Sequence, residues 1–170
     1  MSKKKKPAID AVQRINADIA EVGWSVVIGP DQDGFAYTVG LTETHLQAEL
    51  CVHGVTDSDL THRLLDQLAQ RIVQDDVPLL GTRIDGVLRD LDLFLLATDK
   101  RARDRATYAA ARYGSAVRFV QCVLPDATNR FPWNYAVNRW QTFGQIVMAP
   151  WPKDDTPEDQ FPTMLELMAR

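Results

Sequence analysis

The chain has little that would staple it, embed it in a bilayer or charge it in bulk. Only two cysteines, Cys51 and Cys122, occur in 170 residues. They lie far apart inside apolar segments, which excludes the disulfide framework of small secreted domains. No apolar run reaches the roughly eighteen residues of a membrane-spanning helix, and no secretory apolar region is recognisable. A reduced, cytoplasmic location without a membrane anchor is expected. A basic excess is missing too: the formal charge is −4 and the pI is near 5.3. That balance argues against a general nucleic-acid binder, which needs a basic surface to displace counterions. The basic run at Lys3 to Lys6 reads as a solvated tail over residues 1–7, with contact to nucleic acid or an acidic partner as its functional alternative.

Cofactor and nucleophile motifs are equally scarce. Gly29, Gly34, Gly40 and Gly54 are scattered through turns and strand ends, with no GxGxxG or GxxxxGK[ST] arrangement, so dinucleotide and P-loop sites of the usual kind are not expected. No GxSxG elbow is present, and a Ser/His/Asp triad would have to draw on His45, His53 or His62 without motif support. At this size a single core buries roughly 70% of the surface of the unfolded chain, so no staple is needed.

What is present is best written in Asp33 to Thr42, DGFAYTVGLT: a turn, an alternating strand and a small-residue exit. Phe35, Tyr37, Val39 and Leu41 fall on one face, while Ala36, Thr38 and Gly40 leave the other nearly bare. That bare face accommodates either the protein's own helix or a ligand. Upstream, Ile9, Val12, Ile15, Ile19 and Val22 recur at helical spacing between Pro7 and Gly23. Trp24 to Ile28 reads as a strand that forms an antiparallel hairpin with Phe35 to Leu41 through a Gly-Pro-Asp turn. Glu49 to Val55 is a third strand, and Thr56 or Asp57 caps a helix with the ridge Leu60, Leu64, Leu68 and Ile72, ended by Pro78 and Gly81. Ile84 to Leu88 and Leu91 to Ala97 form strands around Arg89-Asp90. Thr98 or Asp99 caps a third helix running to Tyr113 and closed by Gly114, and Ala116 to Leu124 is the last strand. This order lacks strict strand-helix alternation. It predicts an α+β fold with a mainly antiparallel sheet of about six strands packed by three helices in a single domain over residues 8–150.

Beyond Asn129 the pattern turns irregular and aromatic, with Phe131, Trp133, Tyr135, Trp140, Phe143 and Trp151 close together, as in a packed loop. Residues 151–160 read as a polar linker. Phe161, Met164, Leu165 and Met168 then put an apolar stripe on a C-terminal helix over 161–170, which docks on its own domain or on a partner.

Glu49, Cys51 and His53 alternate on one strand face at spacings of about 7 Å, forming the sharpest chemical cluster in the chain. Thiolate and imidazole are metal ligands, and an imidazole can also activate a thiol for hydrolysis. Neighbours on one strand seldom converge tightly enough for a tetrahedral site, no CxxC, HxxxH or HExxH motif supports one, and the alternative is a half-exposed strand with a small buried thiol. The arginines Arg101, Arg103, Arg105 and Arg112 suit phosphate or, interleaved with Asp99 and Asp104, a salt-bridged solvent face. Gln121, Asp126 and Trp133 suit a pocket wall, the alternative being an Asx turn at Asp126 and a core plug at Trp133.

With those residues in view, FAYTVGL at Phe35 to Leu41, AEL at Ala48 to Leu50 and QCVLPDATNRFPWN at Gln121 to Asn134 resemble the blocks of an uncharacterised bacterial family, domain of unknown function 4262. Gln47-Ala48 stands here where the family has histidine-proline. The resemblance implies that Tyr37, Thr38, Gly40, Glu49, Gln121, Asp126 and Trp133 share one surface, and it implies no activity or cofactor. The expected function is a small-ligand- or protein-binding module, with Tyr37, Thr38, Gly40, Gln121, Asp126 and Trp133 around a pocket between the Phe35–Leu41 strand and the aromatic 131–151 segment. The alternatives are a metal- or cysteine-dependent hydrolase using Glu49, Cys51 and His53, and a flavin-binding oxidoreductase with an aromatic-walled sheet.

Overall fold

The computed structural model describes residues 10–74, 76, 80, 81, 83–134 and 144–149. The expected tail, Pro78, the aromatics Tyr135, Trp140, Phe143 and Trp151, the linker and the C-terminal helix lie outside the described residues. Helix α1 (Ala11–Val22) opens on Asp10, whose carboxylate accepts the Val12 N–H, and stops at Gly23 in a left-handed conformation with φ 98°. Strands β1 (Ser25–Ile28) and β2 (Ala36–Val39) form the expected antiparallel hairpin, with Val27 opposite Tyr37.

After β2 the chain departs from the expected extended run to Leu41. Gly40 adopts φ 124°, a region that side chains resist, and a one-turn helix α2 (Leu41–Thr44) follows. Leu41 thereby leaves the Tyr37 face and packs with the α3 side of the core. Strand β3 (Glu49–Val52) precedes α3 (Ser58–Val73), which Asp57 caps by accepting the Asp59 and Leu60 N–H groups. Strands β4 (Arg83–Leu88) and β5 (Leu91–Ala97) form the second hairpin. The third expected helix is split at Ala106 into α4 (Lys100–Arg105) and α5 (Thr107–Tyr113), and β6 (Phe119–Val123) closes the set.

The sheet order is β1-β2-β3-β6-β5-β4. All neighbours are antiparallel except β3 and β6, which run parallel with Cys51 opposite Gln121. This is the expected α+β domain with a mainly antiparallel six-stranded sheet. The face bearing Ala36, Leu50, Val52, Val120 and Cys122 is covered by Leu64, Leu65, Leu68 and Ile72 of α3. The nearly bare face of β2 is therefore the seat of the protein's own helix. The opposite face, with Tyr37, Cys51 and Phe119, is covered by α1 and by the alanines Ala102, Ala106 and Ala109 of α4 and α5. Over β5 and β6 the same face meets Phe131, Val147 and Ala149.

Candidate functional site

Glu49 and Cys51 of β3 and His53 just beyond its end were expected on one strand face, but each has its own partners. Oε1 of Glu49 accepts the N–H groups of Gly40 at 3.0 Å and Thr42 at 2.9 Å, and Oε2 accepts the Thr38 hydroxyl at 2.7 Å. Glu49 thus caps α2 from a distance and holds the Gly40 turn shut. Burial pushes its carboxyl above the usual range, against the pull of those hydrogen bonds. Nearby, the Thr42 Oγ1 and Tyr113 hydroxyl atoms are buried with no hydrogen-bond partner among the described residues.

Cys51 is fully enclosed in the apolar cluster of Tyr37 and Phe119. Burial pushes its thiol well above the usual range, and Cys122 is shifted the same way, so both remain thiols rather than nucleophilic thiolates.

His53 is buried at the end of the strand, and its two ring nitrogens face different groups. Nδ1 accepts the Ile146 N–H at 2.9 Å, while Nε2 lies 3.3 Å from the Asp33 carboxylate without hydrogen-bond geometry. A ring whose Nδ1 accepts must carry its neutral-state proton on Nε2, toward Asp33. Burial lowers the His53 pKa, and Asp33 opposes that shift. Both nitrogens are directed at protein groups, so neither is presented to a substrate as a base. Among the described residues, no three histidine, cysteine, aspartate or glutamate side chains are placed to hold a metal ion.

Asp33 leads to a cleft. Its carboxylate is clasped by Arg105, whose guanidinium lies 4.6 Å from the centre of the Phe35 ring and 3.8 Å from Asp31. Beside this group, between the β1–β2 hairpin and α4–α5, lies a cavity of about 300 Å³. Phe35, Tyr37 and Tyr108 supply aromatic walls, Val27 and Ile28 apolar surface, and Asp31 and Asp104 acidic groups. The Tyr37 hydroxyl accepts the Tyr108 N–H at 3.2 Å, which ties the start of α5 to β2.

The remaining expected site residues lie elsewhere. Gln121 donates from Nε2 to the Ile146 carbonyl at 2.7 Å and accepts the Met148 N–H at 2.7 Å. Asp126 makes an Asx turn, its Oδ1 accepting from the N–H groups of Thr128 and Arg130 and from the Thr128 hydroxyl. Trp133 stacks on Phe131, ring centres 5.0 Å apart, and meets Phe94 edge-on. The structure thus brings Thr38, Gly40 and Glu49 together. It puts Tyr37 in the cleft and Gln121, Asp126 and Trp133 around the 126–134 and 144–149 segments.

Asp33, Arg105 and Tyr108 were not among the expected site residues. Asp33 reads as turn chemistry and Arg105 as a solvent-face arginine, and only the fold joins positions 72 residues apart.

A mixed six-stranded sheet covered on both faces, with an aromatic cleft against one of them, defines a single-domain α+β protein. The model of a domain of unknown function, DUF4262, matches residues 18–138, and the chain belongs to that family. No curated protein and no solved structure matches it. Among the described residues, no helix is long and apolar enough to cross a membrane.

Proposed function

We propose that this protein is a small-ligand-binding module whose site is the Tyr37 cleft, with α4–α5 as its second wall. One observation carries this reading: an aromatic-walled cavity of about 300 Å³ whose cation, Arg105, is already held by Asp33. Pockets of this kind draw affinity from apolar walls and orientation from a few polar groups. Here the carboxylate left unpaired among the described residues is that of Asp104, and Asp31 meets Arg105 only at 3.8 Å, so the fitting ligand has an apolar or aromatic body and a positively charged group. An amine fits that description, its charge held by the carboxylates and by the tyrosine faces.

Isothermal titration of the full chain against a panel of aromatic and aliphatic amines tests the proposal. At least one amine binds, and Tyr108→Ala and Asp104→Asn each weaken it about tenfold. Both positions are exposed, so the variants leave the core intact. Failure of the whole panel to bind, or binding that ignores both substitutions, refutes the assignment.

A further inference from the structure

Arginines on this surface are mostly matched to carboxylates. Arg71 pairs with Asp76, Arg83 with Asp92, Arg101 with Asp99, Arg105 with Asp33 and Arg112 with Glu43. Arg103 and Arg118, like Arg14 and Arg63, have no ion pair among the described residues, and unlike those two they line one cavity. Arg103 donates from Nη1 to the Ser115 carbonyl at 3.3 Å. Arg118 donates from Nη1 to the carbonyls of Ser115, Ala116 and Val117 at 3.0, 3.1 and 3.4 Å. Both guanidinium groups are thereby fixed against the turn at Gly114–Ala116 with their charges uncompensated.

The two arginines face one cavity of about 260 Å³ together with Lys100 and Ser115, over a floor of Val117 and Phe119. The carboxylate on its wall, Asp99, is held by Arg101 at 2.7 Å and caps α4 through the Arg101 N–H. Three cations thus surround a concavity whose carboxylate is already neutralised, in a chain of net charge −4. Fixed cations around a void, when the rest of the molecule is acidic, are an arrangement for an anion. Each arginine has Nη1 on the backbone and keeps its other N–H groups for a second partner, the fork geometry that phosphate oxygens accept.

We infer that this cavity binds the phosphate group of a small phosphorylated metabolite. Three cations match a phosphate dianion with several acceptor oxygens better than a single carboxylate. The volume lies just below the roughly 300–1,000 Å³ of drug-sized pockets, which limits the ligand to a small molecule. A nucleic-acid backbone is disfavoured, since the chain as a whole carries a formal charge of −4. The site shares no lining residue with the Tyr37 cleft, so the two assignments stand or fall separately.

The test is isothermal titration of the full chain at low salt with glucose 6-phosphate, glucose and inorganic phosphate. Glucose 6-phosphate binds and glucose does not. Lys100→Gln and Arg103→Gln each weaken binding about tenfold. Arg89→Gln, the same charge change at an exposed position outside this cavity, leaves it unchanged. The Lys100 side chain makes no hydrogen bond among the described residues, so its variant reads binding rather than folding. Absence of binding by the sugar phosphate, or equal weakening by Arg89→Gln, overturns the site. Inorganic phosphate binding as tightly as the sugar phosphate overturns the metabolite assignment.

Discussion

At the scale of single residues, the buried polar groups of β3 and of His53 just after it act as fasteners, and His53 shows how such a fastener responds to pH. The Ile146 N–H needs an acceptor at Nδ1, which only the neutral ring supplies. Protonation puts a second N–H there, donor against donor, while Asp33 on the other side eases the charge and Arg105 resists it. The folded pKa lies below the ordinary 6.5, so the unfolded chain takes up its proton first as pH falls. The His53 contribution is therefore fully present above 6.5 and is lost as pH drops through the lower, folded value. Glu49 runs the other way, its raised pKa giving stability below 4.5 that is lost as pH rises through the folded value. The difference between wild type and His53→Asn cancels Glu49 and isolates the imidazole. Asparagine keeps an acceptor near the Nδ1 position and does not titrate. Urea denaturation across mildly acidic pH should show wild-type stability falling more steeply than that of His53→Asn. Parallel curves would mean that His53 does not sense the Ile146 contact.

At the scale of elements, residues 145–148 are held mainly by side chains, with one backbone bond, where a strand would use a backbone ladder. Gln121 serves Ile146 and Met148, Gln145 serves both the N–H and the carbonyl of Leu124, and the Asp99 N–H donates to the Met148 carbonyl. Gln121→Leu fits a buried strand position but leaves the Ile146 carbonyl and Met148 N–H without partners. Each unsatisfied group costs about 1–3 kcal/mol and the added apolar surface returns part of it, so the net loss is about 2 kcal/mol. Hydrogen exchange at the Met148 amide should accelerate about tenfold or more, with the β5–β6 ladder amides protected as before. Unchanged exchange at Met148 would rule out Gln121 as the anchor. This segment also shows where sequence reading stops. Helices α1 and α3 are legible because Ile15, Ile19, Leu64, Leu68 and Ile72 repeat at helical spacing, and the hairpins because turn residues separate alternating strands. A strap fixed by two glutamines and a histidine has no period to detect. The pairing of Asp33 with Arg105 and His53, like the cleft beside it, depends on a parallel β3–β6 junction that no local pattern encodes. Tyr37 and Glu49 stand out by residue type, yet their partners arrive from elements that only the sheet order brings near.

At the scale of the molecule, two antiparallel halves, β1-β2-β3 and β6-β5-β4, meet at that parallel junction. The family match ends at residue 138, but the packed unit continues to Ala149. Val147 and Ala149 close over Phe94, Val123 and Phe131, while Met148 joins the cluster of Tyr37 and Phe119. A chain ending at residue 138 would expose that surface and leave Gln121, the Leu124 backbone and His53 without their partners. Burial of Val147 and Met148 alone represents about 3–6 kcal/mol, and the orphaned polar groups add to the loss. Against this stands the backbone entropy regained by a few freed residues, about 1–2 kcal/mol each. The 138 chain should therefore melt below the full-length protein, by about 2–4 °C for each 1 kcal/mol of net loss in a domain of this size. A chain ending at residue 152 keeps every described contact and should melt close to the full-length protein. Equal melting of the 138 and 152 chains would show that the strap adds nothing to the fold. If both chains melt equally far below the full-length protein, the stabilising surface lies in residues 153–170, as expected of a C-terminal helix docked on its own domain.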